Sequence, residues 1–142
     1  MKRVISFDVG TKRIGVAATD PLQLLASPIA VCAPNEVFAF IYHYLQENEV
    51  EQFVVGLPID MQGKPSHAHA IASQFGKTLT KKFTKIPVAM VDERFTSQMA
   101  LQSLQEMQLK KSKMKDKKLV DAISAVILLE YYLQYRPTLS NE

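Results

Sequence analysis

The order of apolar runs along this chain predicts an α/β fold in which an antiparallel meander comes first and strands alternating with helices follow. Two observations carry that expectation. Val4-Ile5-Ser6-Phe7 and Ile14-Gly15-Val16-Ala17-Ala18 are short apolar runs separated by a glycine-containing turn, so they read as a hairpin. From Val37 onward the apolar period changes from 3.6 to 2 and back again, as it does in units of strand, helix and strand.

Taken in order, Ser27 to Cys32 supplies a third strand after Pro21. Val37, Phe40, Ile41, Tyr44 and Leu45 recur at helical spacing, which predicts an amphipathic helix from about Glu36 to Asn48. Phe53-Val54-Val55-Gly56-Leu57 is a strand stopped by Pro58. Ser66 is placed to cap a second helix whose inner face is Ala68, Ile71, Ala72, Phe75, Leu79 and Phe83, and Pro87 leads into the strand Val88 to Val91. Thr96 or Ser97 caps a third helix through Leu101, Leu104 and Met107. Leu119 to Leu133 is apolar almost all round, the pattern of a helix buried on several sides. Parallel strands require right-handed crossovers, so these elements assemble into a five-stranded mixed sheet with helices on both faces, the order of a ribonuclease H-like fold.

The chain has 142 residues, 47% of them hydrophobic, enough for one substantial core and too few for two typical domains. The expectation is a single domain over 1–138 and a short tail over 139–142. No apolar run approaches the roughly 18 residues that span a bilayer, and Asp8 interrupts the apolar start, so a cytoplasmic protein without a membrane partner is expected. Cys32 is the single cysteine and sits among Ile29, Ala30, Val31 and Ala33, the context of a core residue and not of a nucleophile.

The formal net charge of +3 is unevenly distributed. Lys110, Lys111, Lys113, Lys115, Lys117 and Lys118 are opposed only by Asp116, so this short segment carries +5 and the remainder of the chain −2. Such a segment suits a polyanion such as nucleic acid, because each phosphate contact releases counterions. A solvated linker has the same composition.

Asp8 interrupts an apolar strand just before Gly10. A carboxylate there either bonds the amides of the following turn or belongs to a site in which a cation or a donor network replaces its lost hydration. Ligand sites of open α/β sheets lie beyond the carboxyl ends of the strands, which directs attention to the residues that follow each apolar run. Asp92-Glu93-Arg94 follow Val88 to Val91, and Asp121 is the lone acid early in the apolar helix. Singly, each acid has a structural role open to it: Asp121 near a helix N-terminus, Glu93 beside Arg94 or Arg13. Together, clustered carboxylates repel one another unless cations occupy the cluster. Magnesium suits such a cluster, since it takes hard oxygen ligands, few of them from protein, and pairs of such ions serve phosphodiester cleavage.

Four segments in this order, Phe7-Asp8-Val9-Gly10-Thr11-Lys12-Arg13-Ile14-Gly15-Val16-Ala17, Val54-Val55-Gly56-Leu57-Pro58, Val91-Asp92-Glu93-Arg94-Phe95-Thr96 and Val120-Asp121-Ala122-Ile123-Ser124-Ala125, resemble the YqgF (RuvX) family over nearly the whole chain. That family comprises Holliday-junction-resolvase-like proteins of ribonuclease H-like fold, described as nucleases that process the 5′ end of bacterial pre-16S ribosomal RNA. The resemblance implies Asp8, Glu93 and Asp121 as the acidic, metal-binding and catalytic positions, Asp92 being a weaker choice beside Glu93. It implies magnesium, with manganese as a substitute, and pre-rRNA as substrate. Lys12, Arg13 and Arg94 in the same motifs, with Lys115, Lys117 and Lys118 before Asp121, are the expected nucleic-acid contacts. The chain departs from the family pattern in Ile59-Asp60-Met61-Gln62-Gly63, where an Asn is usual and Asp60 adds an acid, and in Lys115-Asp116-Lys117-Lys118, which lacks the usual glycine.

Other residues are set aside. His67 and His69 are two apart on a helix and point about 200° apart, so they cannot chelate one ion and are assigned to the surface, while His43, between tyrosines in an amphipathic helix, is a structural or solvent-facing residue. Tyr131, Tyr132 and Tyr135 are expected to pack at the end of the last helix with their hydroxyls outward. Three other functions compete with an RNA-processing enzyme: a Holliday-junction resolvase acting on branched DNA, which needs a homodimer where the RNA enzyme can be a monomer; a non-catalytic nucleic-acid-binding module; and a sugar kinase or actin-like protein, to which Asp8-Val9-Gly10-Thr11 is also similar. The last fails on length, because those proteins close two lobes of this fold around a nucleotide.

Overall fold

The computed structural model describes residues 2–58, 67–92 and 117–139. Its strands are β1 (Arg3–Val9), β2 (Ile14–Thr19), β3 (Ala26–Cys32), β4 (Val50–Leu57) and β5 (Val88–Asp92). Its helices are α1 (Val37–Glu47), α2 (His67–Lys82) and α3 (Lys117–Leu139). The strands form one sheet in the order β3-β2-β1-β4-β5. β1 pairs antiparallel with β2 and β2 with β3, whereas β1 pairs parallel with β4 and β4 with β5. This is the mixed sheet expected from the sequence, with a helix pair on one face and α3 on the other.

Strand alternation in the central β1 divides the core in two. Ile5, Phe7 and Val9 face α1 and α2, where Val37, Ile41, Ala72, Phe75 and Leu79 cover them. Aromatic residues dominate that layer: Phe7 meets Phe53 and Phe75 edge-on at centroid separations of 5.6 and 5.2 Å, and Phe53 meets Phe83 at 5.7 Å. Val4 and Ser6 face the other way, toward Ala125, Leu128, Leu129 and Tyr132 of α3. Ser6 is fully buried, and its Oγ donates to the Ala125 carbonyl over 2.7 Å, which satisfies the hydroxyl and ties the central strand to the helix.

Several boundaries differ from those the pattern predicts. β4 begins at Val50, before Phe53, because parallel pairing of Arg3 with Val50 and Val4 with Gln52 draws the polar Glu51 and Gln52 into the ladder. Such pairing has no signature in local hydropathy. α3 extends past Leu133 to Leu139, and on this extension Arg136 donates to Gln23 Oε1 over 2.6 Å. Gln23 occupies a left-handed backbone conformation (φ 58°) in a turn organised by Asp20, whose carboxylate accepts the amides of Leu22, Leu24 and Leu25. Those backbone bonds, that to Leu25 foremost, hold the Asp20 carboxyl below the usual carboxylate range.

Cys32 is buried, as expected, and its burial raises the thiol pKa. His67 and His43 are exposed, while His69, expected at the surface, is half-buried. Tyr132 is buried, Tyr131 half-buried and Tyr135 exposed. Among the described residues no helix is long and apolar enough to cross a membrane. Ser66, the expected cap of α2, and the helix expected after Thr96 lie outside the described residues.

Replacing Ser6 by Ala removes one buried hydrogen bond without adding volume. A stability loss of about 1 kcal/mol, or about 2–4 °C in Tm, is expected in thermal unfolding.

Candidate active site at the carboxyl edge of the sheet

β1, β4 and β5 run parallel, so their carboxyl ends share one edge of the sheet, and β2 begins there after the hairpin turn. Asp8 is the penultimate residue of β1 and pairs with Gly15 of β2. Two residues beyond Ser6, it belongs to the face that α3 covers. Gly15 is what lets that helix arrive. A Cβ at this position would lie 2.2 Å from the Asp121 carbonyl oxygen and 2.8 Å from its carbonyl carbon, so helix backbone and strand backbone touch here with no room for a side chain.

The same contact seats the Asp121 backbone on Gly15, the strand partner of Asp8. Asp121 is one turn before Ala125, and Ala125 is the residue bonded by Ser6, so the first turns of α3 lie along the Ser6-to-Asp8 direction of β1. Arg13, two residues before Gly15, points to the same face and donates from Nε to Asp121 Oδ2 over 2.7 Å. The two side chains are 28% and 23% exposed, so the pair is screened by solvent and contributes to orientation more than to stability. The turn fixes Arg13 in its own way: Gly10 N donates to the Arg13 carbonyl over 2.9 Å, and a Cβ on Gly10 would approach that oxygen to 2.8 Å. Both glycines of the first motif therefore position an acid or its cation.

Lys12 is exposed at the turn beside Arg13, and Lys117 and Lys118 are exposed in the first turn of α3, ahead of Asp121. Asp92 falls elsewhere. In β5, Ala89 and Val91 pack in the α3-side core, Val88 packs in the α1/α2 core, and Met90 meets Gly76 of α2. Alternation thus places Asp92 on the α2 face, opposite Asp8. Of the residues expected in the site, Glu93, Arg94 and Lys115 lie outside the described residues, as do Asp60 and the run from Lys110 to Met114. Among the described residues no three His, Cys, Asp or Glu side chains gather as a metal-binding group. Those described are Asp8, on β1 opposite Gly15, and Asp121, whose backbone packs on Gly15 and whose carboxylate is paired with Arg13. Their donor chemistry, two carboxylates and no sulfur or imidazole, fits a hard cation.

A family model described as "RuvX: Holliday junction resolvase" matches residues 2–135. The chain belongs to the RuvX family. Similar proteins named "Putative pre-16S rRNA nuclease" occur in Christiangramia forsetii, 44% identical over 94% of this chain and 98% of that protein, and in Parabacteroides distasonis, 43% identical over 94% and 96%. Among solved structures, Thermus thermophilus RuvC in complex with a Holliday junction substrate superposes with a TM-score of 0.54 over 94% of this chain and 96% of that one, at 15% identity. A second Thermus thermophilus RuvC structure gives 0.55 over 93% and 95%, also at 15% identity. The likeness establishes the ribonuclease H-like fold.

In this RuvX chain, sequence reasoning passed over Ser6 and the packing role of Gly15. The signal for Gly15 was present, since a glycine inside a strand marks a close backbone approach. No sequence signal told which backbone approaches. Gly15→Ala must push α3 off β2 backbone to backbone, where no flexible side chain can yield. The expected result is a loss of more than about 2 kcal/mol in denaturant unfolding, with Asp121 displaced from Arg13.

Proposed function

We propose that this chain is a divalent-metal-dependent nuclease that hydrolyses phosphodiester bonds in RNA, its cellular task being 5′-end processing of pre-16S rRNA in the cytoplasm. The observation that carries the reading is the side-chain-free contact at Gly15, which packs the Asp121 backbone against the strand partner of Asp8. Carboxylates that share a site repel one another unless a cation joins them, and the acids here stand at the edge where open α/β sheets bind ligands. Relatives named for pre-16S rRNA cleavage support RNA as the substrate.

Asp8 and Asp121 are the residues that would hold the ion, Mg²⁺ by preference and Mn²⁺ in its place. Glu93 is proposed as the third carboxylate on the family resemblance of its motif, Asp92 belonging to the α2 face. When bound, such an ion supplies Lewis-acid stabilisation and lowers the pKa of water. The chain's own contribution is positional. Ser6 and Gly15 fix how deeply α3 sits, and hence where Asp121 stands relative to Asp8. Arg13 directs one of its five donors to Asp121, and the others suit the oxygens of an incoming phosphate. Lys12 at the turn and Lys117 and Lys118 in the first turn of α3 draw the polyanion to this edge, and Arg94 and Lys115 are proposed as further phosphate contacts by the family resemblance.

Two measurements test the reading. Asp8→Asn and Asp121→Asn should each lower cleavage of an extended 5′ precursor of 16S rRNA by at least about a hundredfold, and circular dichroism should show the fold intact. A variant that keeps full activity removes its acid from the mechanism. Chelation of divalent ions should abolish cleavage and Mg²⁺ should restore it. RNA binding without turnover would identify a binding module instead. The RuvX family description favours one further comparison, a four-way DNA junction. Symmetrical cleavage of that junction by a stable dimer, with the RNA precursor left uncut, would assign the chain to branched DNA.

A further inference from the structure

We infer that the end of α2 and the adjoining face of α1 form a second nucleic-acid contact, a pocket for one unpaired base flanked by lysines, at the opposite edge of the sheet from Asp8 and Asp121. The inference rests on the nucleic-acid substrate proposed above and adds a surface outside that site. Between residues 67 and 91 the chain has four lysines, Lys77, Lys81, Lys82 and Lys85, and no Asp or Glu. All four are exposed, and none forms an ion pair with a described residue. Lys77 and Lys81 stand one turn apart on the side of α2 away from Ala72, Phe75 and Leu79. Lys82 reaches toward α1, with its Nζ 5.3 Å from the centre of the Phe38 ring.

Between Lys82 and Lys85 a cavity of about 270 Å³ opens, lined by Leu45, Phe83, Thr84, Ile86 and the two lysine stems. Tyr42 stands beside it, 48% exposed, with its ring 4.9 Å from that of Phe83. Apolar walls, an adjacent exposed aromatic ring and paired ammonium groups are the elements with which single strands are held, the base stacked and the phosphates neutralised. A stacked duplex cannot offer its bases to such a pocket, so the ligand is single-stranded nucleic acid. The charge pattern orients the strand. Glu36, Glu47 and Glu49 make α1 and its connection acidic, so a phosphate chain is repelled from α1 and follows α2.

The position also sets a length. Leu45 and Lys85 precede the amino ends of β4 and β5, whereas the acids stand at the carboxyl edge, about 25 Å away for a strand of this length. A substrate strand several nucleotides long can touch both places, and a shorter one cannot.

The test measures binding apart from turnover. The full chain is titrated in EDTA, by fluorescence anisotropy, with a labelled single-stranded RNA 20-mer and with an RNA duplex of the same length, across a salt series. Lys82→Gln/Lys85→Gln should weaken single-strand binding about tenfold at 0.1 M salt and lower the slope of log K against log salt by about 1.4, two phosphates at about 0.7 each. Tyr42→Ser should weaken it with the slope unchanged, because it removes stacking and no charge. Duplex binding should move little. The inference is overturned if the double variant retains wild-type affinity and slope, if wild type binds no single strand, or if the duplex loses as much, which would make the patch a general polyanion surface. Unchanged Tm in the variants excludes misfolding. These outcomes are independent of the nuclease reading: loss of cleavage in Asp8→Asn with unaltered binding by the lysine variant sinks only the patch. Intact cleavage in Asp8→Asn with the predicted salt slope sinks only the nuclease mechanism.

Discussion

The close approach of α3 to the β1–β2 hairpin is the constraint on which the rest of the site depends. At Gly15 the helix backbone replaces a side chain, and a turn further on Ser6 locks the register by bonding the Ala125 carbonyl. A helix held this near to a sheet has little freedom to slide, because a shift by one residue would bring a side chain against the Asp121 carbonyl or strand the Ser6 hydroxyl. The position of Asp121 is therefore a consequence of main-chain packing. Its partner Arg13 then needs only a turn of fixed shape, which the Gly10 amide supplies by bonding the Arg13 carbonyl.

The two faces of the sheet divide the work. Large aromatic side chains fill the space under α1 and α2, where Phe7, Phe53, Phe75 and Phe83 interlock edge to face. Small residues, Ala17, Val54, Val91 and the Gly15 position, line the other face and let α3 come close. Bulk on one side stabilises and closeness on the other positions. Asp8 and Asp121 belong to the close side, so strain introduced there reaches the candidate site directly, whereas volume changes among the phenylalanines act first on stability.

Much of this was legible in the sequence. The meander, the strand and helix alternation and the core stripe of α2 follow from local periodicity, and Asp8 stood out because a carboxylate in an apolar run demands an explanation. The start of β4 was not legible, since Glu51 and Gln52 are polar and become strand only by pairing with Arg3 and Val4. The end of α3 was missed for a similar reason, its last turns being joined by Arg136 to Gln23, more than a hundred residues away in the chain. The lysines at the end of α2 carry no mark in the sequence that sets them apart, and only the fold brings Tyr42, Leu45 and Phe83 beside them.

By itself the sequence determined the fold class and the family and singled out the candidate acids, because these depend on residue type and on spacing along the chain. Only the tertiary structure decided which acids share a face. Asp8 and Asp121 are far apart in sequence, and the Asp121 backbone packs against Gly15, the strand partner of Asp8, because Gly15 has no side chain to keep a helix away, while Asp92 is turned to the α2 face by strand alternation. Residue type announces that a carboxylate needs a partner, and the packing of backbone on backbone selects the partner it receives.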